Sequence, residues 1–108
     1  MEIASKEDLF SSDDLVDREH FQLPSGKTVI LRGLTAYEVH LMRKQAGDNG
    51  EMADAIALSM GLVEPKLTKD EALRWMKSRP AGESTAACAR IRDLSGLNDD
   101  APRAAYRA

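Results

Sequence analysis

The sequence predicts a mainly α fold with a small N-terminal β-hairpin (α+β), about four short helices packed in one domain. Three observations carry that expectation. Thr35-Ala36-Tyr37-Glu38 and Thr68-Lys69-Asp70-Glu71 are capping boxes. In each, the threonine hydroxyl can accept from the amide three residues on, while the glutamate reaches back to the threonine amide. Pro24-Ser25-Gly26 separates two short apolar runs, with Pro to fix φ and Gly to accept a positive φ, so the chain reverses there. The only aromatics are Phe10, Phe21, Tyr37, Trp75 and Tyr106, so the core must come from Leu, Ile, Val, Met and Ala.

Residues 1–17 read as a flexible acidic leader, 18–97 as a single domain and 98–108 as a flexible tail. The leader's isolated apolar residues, Ile3, Leu9, Phe10, Leu15 and Val16, can dock on the body or on a partner. Ser11-Ser12-Asp13-Asp14 is a turn or cap signal. In the hairpin, residues 18–34, Phe21 and Leu23 share one face of the first strand, and Val29-Ile30-Leu31 form the second. A lone hairpin is marginal in water, so this one needs cover, either from its own helices or from another chain.

Four helices are expected in the body, 35–97. The first opens at Thr35 and ends near Ala46, before Gly47-Asp48-Asn49-Gly50. The second covers roughly Glu51 to Leu62, with Met52, Ile56 and Met60 at helical spacing, and Glu64-Pro65 breaks the chain after it. The third runs from Thr68 to about Ser78 and carries Leu73, Trp75 and Met76. Pro80-Ala81-Gly82 interrupts, and a fourth helix spans about Glu83 to Ser95, with Gly96 as its stop.

Little in the composition points to chemistry. Net charge is −3, unevenly placed: residues 1–19 hold seven acids and two bases, the remainder 13 bases and 11 acids. An acidic leader on a near-neutral body argues against general nucleic-acid binding. The basic residues Lys66, Lys69, Arg74, Lys77, Arg79, Arg90 and Arg92 are interleaved with acids and lack an aromatic platform, so they read as solvated helix faces. Cys88 is alone and no apolar run is long enough to span a bilayer, which predicts a cytoplasmic protein without membrane association.

His20 and His40 with one cysteine make no zinc ligand set, and Cys88 on an alanine-rich helix reads as a small buried residue. Asp48-Asn49-Gly50-Glu51 lacks calcium-loop spacing, and no glycine-rich phosphate loop is present. The expectation is a non-enzyme without metal or cofactor. Met42, Met52, Met60 and Met76, with Trp75, have two readings: core packing, or a methionine-lined groove that accepts varied helical segments.

Taken in order, Leu23-Pro24-Ser25-Gly26-Lys27, then Ile30-Leu31-Arg32-Gly33-Leu34-Thr35 with Glu38, Val63-Glu64-Pro65-Lys66 and Leu94-Ser95-Gly96-Leu97 resemble the tail assembly chaperones of long-tailed bacteriophages. That family shows a Pro-containing turn, a V-x-R-x-L-T-x-x-E passage from strand to helix, a Glu-Pro break and a closing Leu-Ser-Gly-Leu. The resemblance covers about residues 20–97. It implies a chaperone of the host bacterial cytoplasm that binds the tape measure protein and keeps it soluble during tail tube assembly. The tail tube protein is a second expected partner, self-association a third, and a longer frameshifted product is a family trait.

On this reading the partner-binding residues are Met42, Met60, Leu73, Trp75 and Met76. The alternative is a structural tail component, a tube or head–tail connector subunit assembling through the hairpin. A small DNA-binding regulator is a third reading, which the acidic leader disfavours.

Overall fold

The computed structural model describes residues 2–10 and 18–97. Much of the expected leader and the whole of the expected tail lie outside the described residues. Eight elements follow in order: α1 (Lys6–Phe10), β1 (Glu19–Gln22), β2 (Thr28–Leu31), α2 (Ala36–Ala46), α3 (Gly50–Gly61), β3 (Leu62–Glu64), α4 (Lys69–Ser78) and α5 (Ala81–Leu94). The fold is α+β and mainly helical.

The hairpin forms where Pro24 and Gly26 place it. Leu23 N donates to Lys27 O at 2.7 Å and Gly26 N to Leu23 O at 2.8 Å, with Gly26 at φ +95°, a conformation that costs glycine little. Strand register follows directly, Glu19 opposite Leu31 and Gln22 opposite Thr28. The sheet also holds a third strand that the sequence reading did not anticipate. β3 pairs antiparallel with the other side of β2, Ile30 opposite Glu64 and Leu31 opposite Leu62, with a bulge between. Three residues carry no readable alternation, so only the long-range pairing makes them a strand. The Glu64–Pro65 peptide bond that follows is cis.

The hairpin's cover is therefore internal. Val29 and Leu31 are buried in one cluster with Leu58, Leu62, Ala87 and Ile91, so this chain's own helices and β3 shield the sheet. Arg90 reinforces the closure. Its guanidinium donates through Nε and Nη2 to the two oxygens of Glu19, tying α5 to the start of β1.

The helices start where their caps predict. Thr35 and Thr68 each form the full reciprocal box, with Glu38 and Glu71 respectively. Asn49 caps α3 through Met52 N at 3.1 Å. α5 begins at Ala81, two residues before the expected Glu83, because Pro80 takes the cap position and its fixed φ suits a helix entry. Its end is a Schellman motif. Leu97 N reaches Arg92 O at 2.8 Å and Gly96 N reaches Asp93 O at 3.1 Å, with Gly96 at φ +75°.

α3 is the central helix and packs against α2, α4 and α5. Its buried positions alternate small with large, Ala55, Ile56, Ala57, Leu58 and Gly61, which lets three neighbours close on one rod.

Glu38 serves twice. Besides closing the Thr35 cap, both its oxygens accept from the Arg32 guanidinium at the end of β2, a bidentate fork across the strand-to-helix passage. The Arg32 hydrogen bonds, with those from Thr35, outweigh partial burial and hold its carboxyl at about 2 instead of 4.5. A depressed folded pKa gives stability that is present above pH 4.5 and is lost as pH falls toward 2. Glu38→Gln is expected to cost about 1 kcal/mol at neutral pH. The variant and parent should converge in stability toward pH 2 in urea melts. A cost unchanged across that range would contradict the linkage.

Candidate partner-binding groove

Between the hairpin turn and α4 lies an open groove of about 600 Å³. Leu23, Val29, Leu62, Pro65, Leu67 and Trp75 make its apolar walls. Four sequence features converge to build it. The Pro24–Gly26 turn brings Leu23 and Val29 to one wall, β3 adds Leu62, and the Pro65 segment turns the chain so that Leu67 stands just before the Thr68 cap. Trp75 projects from α4, on which Ala72 is the one fully buried position. Four exposed polar residues, Ser25, Lys27, Glu71 and Arg79, also line the groove.

Glu83 is the unusual residue. It lines the groove from the first turn of α5, yet it is only 6% exposed. Ser25, then Arg79 and Trp75, favour the charged carboxylate and outweigh burial, so its pKa is held below the usual carboxylate range. Arg79 Nε lies 3.5 Å from Glu83 Oε2. A buried charge is tolerable only when it is paired, and here Arg79, just past the end of α4, pairs with Glu83 in the first turn of α5.

Of the five residues expected to bind a partner, the groove contains Trp75 alone. Met42 on α2, Met60 on α3, and Leu73 and Met76 on α4 are half-buried and pack against the core cluster. For Met42, Met60 and Met76, the core-packing reading of the methionines matches their placement, because a helix that rests on another presents its flanks, as well as its centre, to the interior. The sequence reading missed Leu23, Val29, Leu62, Pro65, Leu67 and Glu83. Leu67, an apolar residue directly before a capping box, carried a usable local signal. Glu83 carried none, since an acid in the first turn of a helix is ordinary.

The groove offers hydrogen-bonding groups and apolar surface. Among the described residues no three of His, Cys, Asp or Glu gather as metal ligands. Cys88 lies apart, buried against α3, where desolvation and the charge of Asp54 push its thiol up to about 12 and suppress the reactive thiolate. Five of the seven bases noted above are committed to protein partners. Lys66 donates to Ser59 O, Lys77 faces Glu51, Arg79 faces Glu83, Arg90 holds Glu19 and Arg92 holds Asp54. Among the described residues no helix is long and apolar enough to cross a membrane. Comparison with protein-family models, curated proteins and solved structures finds no match.

Proposed function

We propose that this protein is a phage tail assembly chaperone, a non-enzymatic module that holds apolar stretches of the tape measure protein in solution until the tail tube forms around them. The observation that supports the reading is the groove itself: apolar walls, exposed polar residues beside them, and the chain's single tryptophan half-buried at its side. Such a cleft can take the apolar stripe of an amphipathic helix, with side chains at i, i+3 and i+4 entering while the polar residues meet the rest. The order and spacing of the sequence motifs supply the identity of the partner; the groove supplies a means of binding it. Action in the host cytoplasm follows from the same reading.

Trp75 is the expected hot spot, since a large, partly desolvated indole in a pocket is the typical energetic centre of such a contact. Trp75→Ser should weaken co-purification with co-expressed tape measure protein about 30-fold or more, corresponding to about 2 kcal/mol. Tyr37→Ser, at an exposed position away from the groove, should change nothing. Retention of the complex by a folded Trp75→Ser variant would remove the groove from the mechanism.

A second reading, a structural tail subunit, rests on β1 being an edge strand of the sheet. That edge is four residues long and exposes His20 and Gln22, a poor template for extension. Assembly of the purified chain into rings or tubes would select this reading over the chaperone.

A further inference from the structure

A second, smaller cleft lies between α2 and the turn that closes α5, and no residue lines both it and the groove. Its volume is about 260 Å³. That is below the roughly 300–1,000 Å³ of sites that enclose small-molecule ligands, so it suits one side chain of a docking segment better than a whole cofactor. Leu34, Val39 and Leu97 supply its apolar lining. Leu97 is held by the Schellman turn, and Leu34 by the hydrogen bond from its amide to Ser95 Oγ, so this lining is preformed.

The charge of the cleft is one-sided. His40 and Arg43 line it, both exposed, and no acid does. They stand three residues apart on α2 and are therefore neighbours on its surface. Neither makes an ion pair among the described residues, in contrast to the five bases already assigned partners. Glu38, the acid of α2, is taken up by Arg32 and Thr35, and Asp93 near the end of α5 faces Arg90 at 3.9 Å. An apolar lining thus meets a positive edge that the described residues leave uncompensated.

We infer that this cleft is a second docking site, for a short acidic segment of a partner protein. One apolar side chain of that segment enters against Leu34, Val39 and Leu97, while a neighbouring carboxylate meets Arg43 and His40. The planar guanidinium of Arg43 matches a carboxylate at two points, and His40 offers a ring N–H donor in either protonation state. A phosphodiester chain would meet the two bases but leave the apolar lining unfilled. The site is separate from the groove, and its test uses no tape measure protein, so it stands or falls independently of the chaperone reading.

The test is an amide-shift titration of the full, isotope-labelled chain with blocked peptides. Glu-Glu-Leu-Glu-Glu should shift the amides of residues 34–43 and 95–97, with a Kd of about 0.1–1 mM for so small a contact. Lys-Lys-Leu-Lys-Lys and Glu-Glu-Ser-Glu-Glu should each bind about tenfold more weakly or worse, since one reverses the charge and the other removes the apolar side chain. Arg43→Glu, at an exposed position, should weaken the first peptide about tenfold while the rest of the spectrum keeps its fold. Absence of shifts at the cleft overturns the inference, as does equal binding of the serine peptide, which would reduce the site to a charged patch. Preference for a single-stranded oligothymidylate over the acidic peptide also overturns it. So does binding that appears only in an Asp99→Ser, Asp100→Ser variant, because the site would then belong to the chain's own carboxylates.

Discussion

Leu58→Ala is expected to lower the free energy of unfolding by about 3–5 kcal/mol, the range for emptying a fully enclosed leucine site. Leu58 is 0% exposed and sits on α3, the helix that touches α2, α4 and α5. Its neighbours in the core cluster include Leu31, Leu62 and Ile91, among the largest side chains that are fully enclosed. They come from β2, β3 and α5, so the cavity would open where sheet and helices meet, and no one element could move in to fill it. With total stability of a domain this size about 5–15 kcal/mol, the loss is a large fraction of the whole. A urea melt should show a lower midpoint with an unchanged slope. Met60→Ala, two residues along the same helix but half-buried, should cost distinctly less. A Leu58→Ala cost below that of Met60→Ala would mean that the central position of α3 has been misassigned.

The contrast between Leu58 and Met60 shows what the sequence could convey. Helix starts were legible because their causes are local: Thr35 with Glu38 and Thr68 with Glu71 satisfy one another's donors within four residues. The hairpin reversal was legible for the same reason, since Pro24 and Gly26 fix their own φ. Periodicity placed Ile56 and Met60 on a helix, but it could not grade their burial, which depends on the neighbours that arrive from elsewhere.

β3 was not legible, as its three residues become a strand only when β2 lies beside them. The groove was least legible of all. Its walls come from positions 23 to 83, joined by a turn, a short strand, a proline segment and a helix face. Trp75, named in the sequence with the methionines, lines the groove; Leu23 and Val29 were read only as hairpin residues, which they also are. Glu19, counted with the acidic leader, proved to be structural through Arg90 on α5, seventy-one residues away.

Gly33→Ala is the second substitution with a large expected effect, although it adds a single methyl group. A Cβ at Gly33 would lie 2.5 Å from Leu94 O and 2.8 Å from Leu94 C, both backbone atoms, so no side chain can swing aside to admit it. The end of α5 rests directly on the strand-to-helix passage at this point. Leu34 N donates to Ser95 Oγ at 2.7 Å, and Ser95 Oγ in turn donates to Ile91 O at 2.6 Å. Pushing the last turn of α5 away would strain the backbone and break this relay as well. Overpacking of this kind costs about 1–3 kcal/mol, and an unsatisfied, partly buried amide adds about 1 kcal/mol or more.

The expected total for Gly33→Ala is about 3 kcal/mol, read from the shift in urea midpoint. Ser95→Ala separates the two contributions. It removes the hydroxyl without adding bulk and should cost about 1 kcal/mol. In the presence of Ser95→Ala, Gly33→Ala should cost less than it does alone, because the relay that it breaks is already gone. Strict additivity of the two would mean that α5 can retreat from Gly33 without disturbing Leu34. In that case the close approach would be a feature of packing alone, with no part in fixing where α2 begins.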